Sequence, residues 1–101
     1  MAVFAVTYSY EPEAAATRAD LFAEHRTWLS HIDAEDRLLG AGVFADKSGS
    51  LLVFRADSSE ALEHDLNEDP FAQAGAIAVT DVREWTPNWG VLALAAENDR
   101  S

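Results

Sequence analysis

The sequence predicts a small α+β protein in which four strands and two helices follow one another in the order β-α-β-β-α-β. Four short segments are predicted to be strands, and the first of them, residues 2–9, is rich in β-formers and too short for a helical repeat. Two longer segments instead repeat apolar residues every three or four positions. Pro, Gly or Asp separates most of these segments, as expected at turns. The order is that of the ferredoxin-like fold, whose antiparallel sheet is covered by helices on one face.

The first half of the chain supplies one strand and one long helix. Residues 2–9 are predicted to form the strand, which ends before Pro12. Residues 13–35 are predicted to form the helix, because their apolar positions follow helical spacing. Its apolar stripe consists of Phe22, His25, Leu29 and Ile32, with Leu21 and Trp28 beside it.

A hairpin and a second helix follow. Residues 37–46 and 50–56 are predicted to be the strands of the hairpin, joined by a turn over residues 47–49. Asp57 is predicted to cap a helix that ends near residue 67.

The last third of the chain begins with a capped turn. Asp69 is predicted to cap it, with Pro70 at the first helical position, and residues 77–85 form the fourth strand. We predict one domain over residues 1–101, with a tail from about residue 87 that braces a dimer. The apolar run 91–96 in this tail fits either a short strand or a helix.

Composition excludes several classes of function. The net charge of −11 argues against binding nucleic acid or an anionic membrane surface. The absence of cysteine excludes disulfides, thiolate nucleophiles and cysteine-held metal centres. No run approaches the roughly 20 apolar residues that span a bilayer. The amino end has no basic segment ahead of its apolar residues, so we expect a strand there and a cytoplasmic protein.

Both faces of the predicted sheet are apolar, which predicts a homodimer. An antiparallel sheet with one exposed face alternates apolar and polar residues. In the first strand Phe4 and Val6 alternate with Val3 and Ala5, and the third strand behaves similarly. A second copy packed face to face would cover the remaining face. The alternative is that the tail folds over it.

His25 is the most informative side chain, because it is a polar side chain of a type used in acid/base catalysis and it lies within an apolar stripe. It is either a core histidine with one hydrogen bond or an acid/base group in a pocket. The three histidines are scattered and have no metal-ligand spacing, so we expect neither a metal nor a cofactor. Asp69 and Ser50 have sufficient structural explanations, as a cap and as part of the hairpin.

Four short motifs in this order resemble the YciI-like, or YCII-related, family. They are residues 24–29 (EHRTWL), 36–42 (DRLLGAG), 49–50 (GS) and 69–75 (DPFAQAG). The resemblance runs from the first strand to about Trp85. It departs from the family pattern at Val43, where the family has proline, in the short loop 46–49, and in the tail after Thr86.

The resemblance implies a dimeric α/β barrel and a catalytic His–Asp pair, matched here by His25 and Asp69. Ser50 is a further polar candidate, and we predict that Ser50 and Trp28 contact the substrate. Some members of the family act on chlorinated or hydroxylated aromatic rings, which implies a cofactor-free lyase, dehalogenase or isomerase with a small substrate. The alternatives are a non-catalytic small-molecule-binding or regulatory module and, more weakly, a monooxygenase whose pocket contains Trp28, Trp85 and Trp89.

Overall fold

The computed structural model describes residues 1–98 and contains a four-stranded antiparallel sheet. The strands are β1 (Ala2–Tyr10), β2 (Leu38–Val43), β3 (Gly49–Ala56) and β4 (Ile77–Glu84). The helices are α1 (Ala15–Asp20), α2 (Phe22–Ala34), α3 (Ser59–Asn67), α4 (Pro70–Gln73) and α5 (Val91–Asn98). The strand order is β2-β3-β1-β4, which confirms the predicted ferredoxin-like α+β fold.

The predicted long first helix is divided into three parts. A 3₁₀ turn, Pro12–Ala14, precedes α1, and Leu21 separates α1 from α2 with ψ of 6°. The break changes which side chains are buried. Trp28, expected beside the stripe, is in the core, whereas Phe22, expected in the stripe, is 54% exposed and lines a cavity.

Helix caps explain where the second half of the chain turns. Ser58, not the predicted Asp57, caps α3, because its hydroxyl accepts from the backbone N–H of Ala61 at 3.1 Å. Asp69 caps α4, and Pro70 occupies the first helical position, as the sequence predicts. The tail forms a helix rather than a strand over the apolar run.

The core lies between the helices and one face of the sheet, which we call the helix-covered face. Its strand residues are Phe4, Val6, Tyr8, Leu52, Phe54 and Ala56. They alternate along β1 and β3 with side chains on the other face, which we call the second face. Its strand residues include Val3, Ala5, Leu51, Val53, Arg55 and Val79.

The tail covers one end of the second face. Val3 and Val53 are buried there, and the guanidinium of Arg55 donates to the backbone oxygen of Ala95 in α5. At the opposite end of the same face, Leu51 and Val79 are 42% and 58% exposed. The tail therefore accounts for part of the apolar surface that the sequence predicts, and leaves the rest open.

None of the helices within residues 1–98 has the length and apolar character needed to cross a membrane.

Candidate functional site

A cavity of about 560 Å³ lies between the first two helices and the β2–β3 side of the sheet. A volume of this size is in the range of small-molecule sites. Most of its wall is apolar. The side chains that bring polar or charged atoms to it are Tyr10, Arg18, His25, Arg26, Lys47 and Ser50.

The imidazole of His25 forms part of the cavity wall, and contacts on the side away from the cavity hold it in place. Its Nδ1 lies 2.8 Å from Oδ1 of Asp69, and its ring stacks on Phe71 with centroids 4.0 Å apart. A carboxylate oxygen accepts hydrogen bonds, so Nδ1 is the protonated nitrogen. Nε2 of His25 has no hydrogen-bond partner within residues 1–98 and is therefore the nitrogen free to meet a ligand.

Asp69 is fully buried, and its carboxylate accepts three hydrogen bonds from other groups of the protein. Oδ1 accepts from Nδ1 of His25 and from the backbone N–H of Phe71 at 3.0 Å, while Oδ2 accepts from the hydroxyl of Tyr8 at 2.8 Å. A buried carboxylate needs such partners to remain charged. The bond to Phe71 is also the cap of α4, so the same carboxylate ends the loop and orients the histidine.

Tyr8 provides the third donor from the centre of the sheet. Burial, together with the Asp69 carboxylate, raises the pKa of Tyr8 well above its usual range. The hydroxyl therefore stays protonated and donates to Asp69 at any pH near neutrality. Tyr8, Asp69 and His25 thus form a continuous chain of hydrogen bonds that ends at the cavity.

A second polar group lies on the part of the wall that the sheet forms. The hydroxyls of Tyr10 and Ser50 form a hydrogen bond to each other, and Arg18 lies over the Tyr10 ring at 4.4 Å from its centroid. Tyr10 and Ser50 are at adjoining ends of β1 and β3, and both line the cavity. They offer hydroxyl groups to a ligand held against His25.

Gly49 explains why glycine precedes Ser50. A Cβ atom at this position would lie 1.9 Å from the backbone oxygen of Tyr8, so no side chain fits while β3 pairs with β1. The glycine allows the two backbones to approach, and the next residue, Ser50, then points into the cavity.

Three of the four predicted site residues come together and one does not. His25 and Ser50 line the cavity, and Asp69 lies directly behind His25. Trp28 is absent from the wall: its ring packs against Phe54 and its Nε1 donates to the backbone oxygen of Asp65 at 3.0 Å. The structure thus shows a core role for Trp28, and neither Trp85 nor Trp89 lines the cavity.

Sequence reasoning missed Tyr8, Tyr10 and Arg18. The two tyrosines follow Phe4 and Val6 at every second position of β1, so all four lie on the helix-covered face. This spacing could have predicted that both tyrosines face the helices. Arg18 gave no such signal, because its hydrogen-bond acceptors are the backbone oxygens of Glu11 and Ala76. The latter is 58 residues away in the chain.

Across residues 1–98 there is no cluster of three or more His, Asp or Glu side chains arranged to hold a metal ion.

Comparison with known proteins gives the same family as the sequence motifs. The model of the YCII-related domain matches residues 2–86. The chain belongs to the YCII-related family. An uncharacterised protein of Bacillus subtilis, YjpA, is 35% identical over 63 residues, which are 62% of this chain and 73% of that protein.

Solved structures share the fold. A 5-chloro-2-hydroxyhydroquinone dehydrochlorinase from Burkholderia phenoliruptrix, in complex with 2,5-dihydroxybenzoquinone, is 25% identical with a TM-score of 0.77. The match covers 85% of this chain and 95% of that one. A NIPSNAP domain protein from Burkholderia xenovorans is 16% identical with a TM-score of 0.53, over 87% and 95% of the two chains, and shows the fold alone.

Proposed function

We propose that this protein is a cofactor-free enzyme that moves a proton on a small, ring-shaped substrate, with His25 as the acid/base group. The observation that carries the proposal is the 2.8 Å contact between Nδ1 of His25 and the fully buried Asp69, at the wall of a cavity of ligand size. Asp69 orients the imidazole and stabilises its cation, as the acidic partner does in hydrolase triads. Ser50 and Tyr10 bind a substrate oxygen.

The proposed chemistry needs no oxidant. Nε2 of His25 takes a proton from a ring hydroxyl, whose electron pair forms a C=O bond, or from a tetrahedral ring carbon, whose electron pair forms a C=C bond. In an elimination, the hydroxylated ring first takes up a proton at the carbon that bears chloride, which makes this carbon tetrahedral. Loss of a hydroxyl proton then forms a C=O bond, the displaced ring electrons expel chloride, and the net change is loss of HX. In an isomerisation, the imidazolium returns its proton to another ring carbon, and the composition is unchanged.

The similarity to a dehydrochlorinase supports an elimination. That structure is 25% identical to this chain and holds a dihydroxybenzoquinone. A flat ring also suits the apolar part of this cavity, which includes Phe71 and Leu29. We therefore expect a hydroxylated, halogenated aromatic ring among the substrates.

The first test compares His25→Gln and Asp69→Asn with the wild type. With 5-chloro-2-hydroxyhydroquinone as the probe, chloride release should fall about 10²–10⁴-fold in both variants, because proton transfer loses its acid/base group or its orientation. His64→Gln is the matched control: its side chain is 78% exposed and pairs with Glu68, remote from the cavity. It should retain wild-type turnover. Full activity of His25→Gln would contradict the proposal.

A non-catalytic binding module is the second candidate, and it rests on Asp69. Capping of α4 explains this residue without any chemistry. In that case 2,5-dihydroxybenzoquinone should bind to wild type and to His25→Gln with equal affinity. Neither protein should release chloride or exchange ring protons with solvent.

We also propose that two copies associate through the open end of the second face. Leu51 and Val79 are exposed there beside Thr7. A second copy is the partner with a matching apolar surface, and two such sheets pack face to face. The molar mass in solution at micromolar concentration should be that of two chains, and a monomer would overturn the proposal.

A further inference from the structure

We propose that the cavity selects a small organic anion: a flat ring that bears an ionised oxygen, as a phenolate, an enolate or a carboxylate. The inference rests on the proposed function in taking this cavity as the substrate site, and it adds the charge of the substrate. The observation that carries it is the distribution of basic side chains, which divides into two groups.

One group of basic side chains is neutralised by carboxylates. Its members and their partners are Arg37 with Asp65 at 2.6 Å, Arg55 with Asp36 at 3.4 Å, and Arg83 with Asp81 at 3.1 Å. The other group forms no ion pair within residues 1–98. Its members are Arg18, Arg26 and Lys47, and all three line the cavity.

Basic side chains without a carboxylate partner are unexpected in a chain as acidic as this one. The protein has 18 acidic and 7 basic residues, so carboxylates are abundant on its surface. None of the side chains that line the cavity is Asp or Glu. The nearest carboxylate in the site, Asp69, lies behind His25, fully buried and already bonded to three donors. The cavity wall therefore carries three positive charges that no carboxylate of residues 1–98 neutralises.

Arg18 shows how such a charge is held without being neutralised. Its Nη1 donates to the backbone oxygens of Glu11 at 2.7 Å and Ala76 at 2.9 Å, and its guanidinium stacks on Tyr10. These partners are uncharged. The Nε and Nη2 protons have no acceptor within residues 1–98. A fixed guanidinium with free N–H groups is suited to a planar anionic oxygen, which it can bind through two parallel hydrogen bonds.

The apolar wall indicates an organic rather than an inorganic anion. Phe22, Leu29 and Phe71 line the same cavity, and sulfate or phosphate would leave them without contact. A ring would pack against these side chains while its ionised oxygen lies towards Arg18. Arg26 and Lys47 lie at exposed positions of the wall, where they attract the anion but hold it less tightly.

The experiment measures binding of two matched ligand pairs by titration calorimetry. The first pair is 2,5-dihydroxybenzoquinone, which is an anion at neutral pH, and its uncharged 2,5-dimethoxy ether. The second pair is benzoate and benzamide. The anion of at least one pair should bind at least about tenfold more tightly than its neutral partner. The pair that shows the preference tells whether the ionised oxygen belongs to the ring or to a carboxylate.

Variants identify the charges responsible. Arg26→Gln and Lys47→Gln should each weaken anion binding about 2- to 5-fold, as expected for exposed charges, and added salt should reduce these differences. Arg18→Gln should weaken it about 10- to 100-fold, because a partly buried, charge-assisted contact is lost. Arg83→Gln removes the same charge outside the cavity and should change affinity less than about twofold.

Three results overturn the inference: equal binding of both members in both pairs, tighter binding of the neutral members, or an effect of Arg83→Gln as large as that of Arg26→Gln. The outcome is separable from that of the proposed function. Anion binding that depends on Arg26 and Lys47, in a protein whose turnover does not require His25, supports the anion site and removes the enzyme proposal. Turnover that requires His25 but favours neutral rings supports the enzyme proposal and removes the anion site.

Discussion

The two faces of the sheet carry similar strand residues but differ in what covers them. Leu51 and Leu52 are neighbours on β3, yet the first is 42% exposed on the second face and the second is 1% exposed on the helix-covered face. Helices and loops bury the helix-covered face along β1 and β3, whereas Val82 of β4, on the same face, is 39% exposed. The second face has only α5, which reaches one end of it.

The difference shows that the two faces have separate roles: one contains the candidate site, and the other has an exposed apolar surface. The side chains of the candidate site all lie on the helix-covered face, where Tyr8 and Asp69 are shielded from water and still hydrogen-bonded. The remaining apolar surface of the second face, at Leu51 and Val79, is suited to association.

Truncating the two adjacent leucines, Leu51 and Leu52, is the most direct test of the difference between the two faces. Leu52→Ala should lower the free energy of unfolding by about 3–5 kcal/mol, because it leaves a hole in the packed face. Leu51→Ala should lower it by less than about 1 kcal/mol in the monomer. Urea unfolding gives both values.

The leucine pair also reports on association. Leu51→Ala should raise the dissociation constant of the proposed dimer, measured by sedimentation, while Leu52→Ala leaves folded chains with the same tendency to pair. Equal losses of stability in the two variants would mean that the faces are equally packed, contrary to the structure.

Gly49 sharpens the comparison, because it lies where β3 approaches β1 beside the cavity. Gly49→Ala should cost about 3 kcal/mol, since its methyl group overlaps the backbone oxygen of Tyr8 and the strands must shift. Gly40→Ala on β2 is the matched control, with nothing within 4 Å of the added Cβ. Its stability should stay within about 0.5 kcal/mol of wild type. Thermal unfolding of the two variants tests this, and a tolerated Gly49→Ala would count against the close approach.

The smallest expected effect concerns the hydroxyl of Tyr8. Tyr8→Phe should destabilise the protein by about 1–2 kcal/mol at neutral pH, because a buried carboxylate loses one donor. The folded pKa of Tyr8 is raised, so its contribution is complete below the pKa of an unfolded tyrosine, near pH 10, and declines as the pH rises above it. Urea unfolding from about pH 8 to 11 should show this decline in wild type and a smaller one in Tyr8→Phe. Identical slopes would show that folding does not raise the pKa of Tyr8.

The sequence predicted the features that depend on neighbouring residues. The strand and helix order, the cap at Asp69 and the position of His25 on the inner side of α2 all follow from local spacing and turn chemistry. The family motifs added the pairing of His25 with Asp69, which are 44 residues apart. Composition alone does not indicate that pairing.

The features that the sequence did not predict depend on distant partners or on a change of helix direction. The bond between Tyr8 and Asp69 joins residues 61 positions apart. The break at Leu21 exchanges the expected roles of Phe22 and Trp28, because a periodic pattern does not show where a helix is interrupted. The charge of the cavity arises from Arg18, Arg26 and Lys47, which come together only once β2 and β3 pack beside the helices.

The backbone amide in the cap of α4 can be used to follow the position of His25 by hydrogen exchange. The backbone N–H of Phe71 donates to the same oxygen of Asp69 that holds His25, so it is shielded from solvent only while the carboxylate is in place. Any local opening of this four-residue helix releases the imidazole before the sheet unfolds. The hydrogen-exchange rate of the Phe71 amide therefore measures how often His25, the proposed acid/base group, is out of position in an otherwise folded molecule.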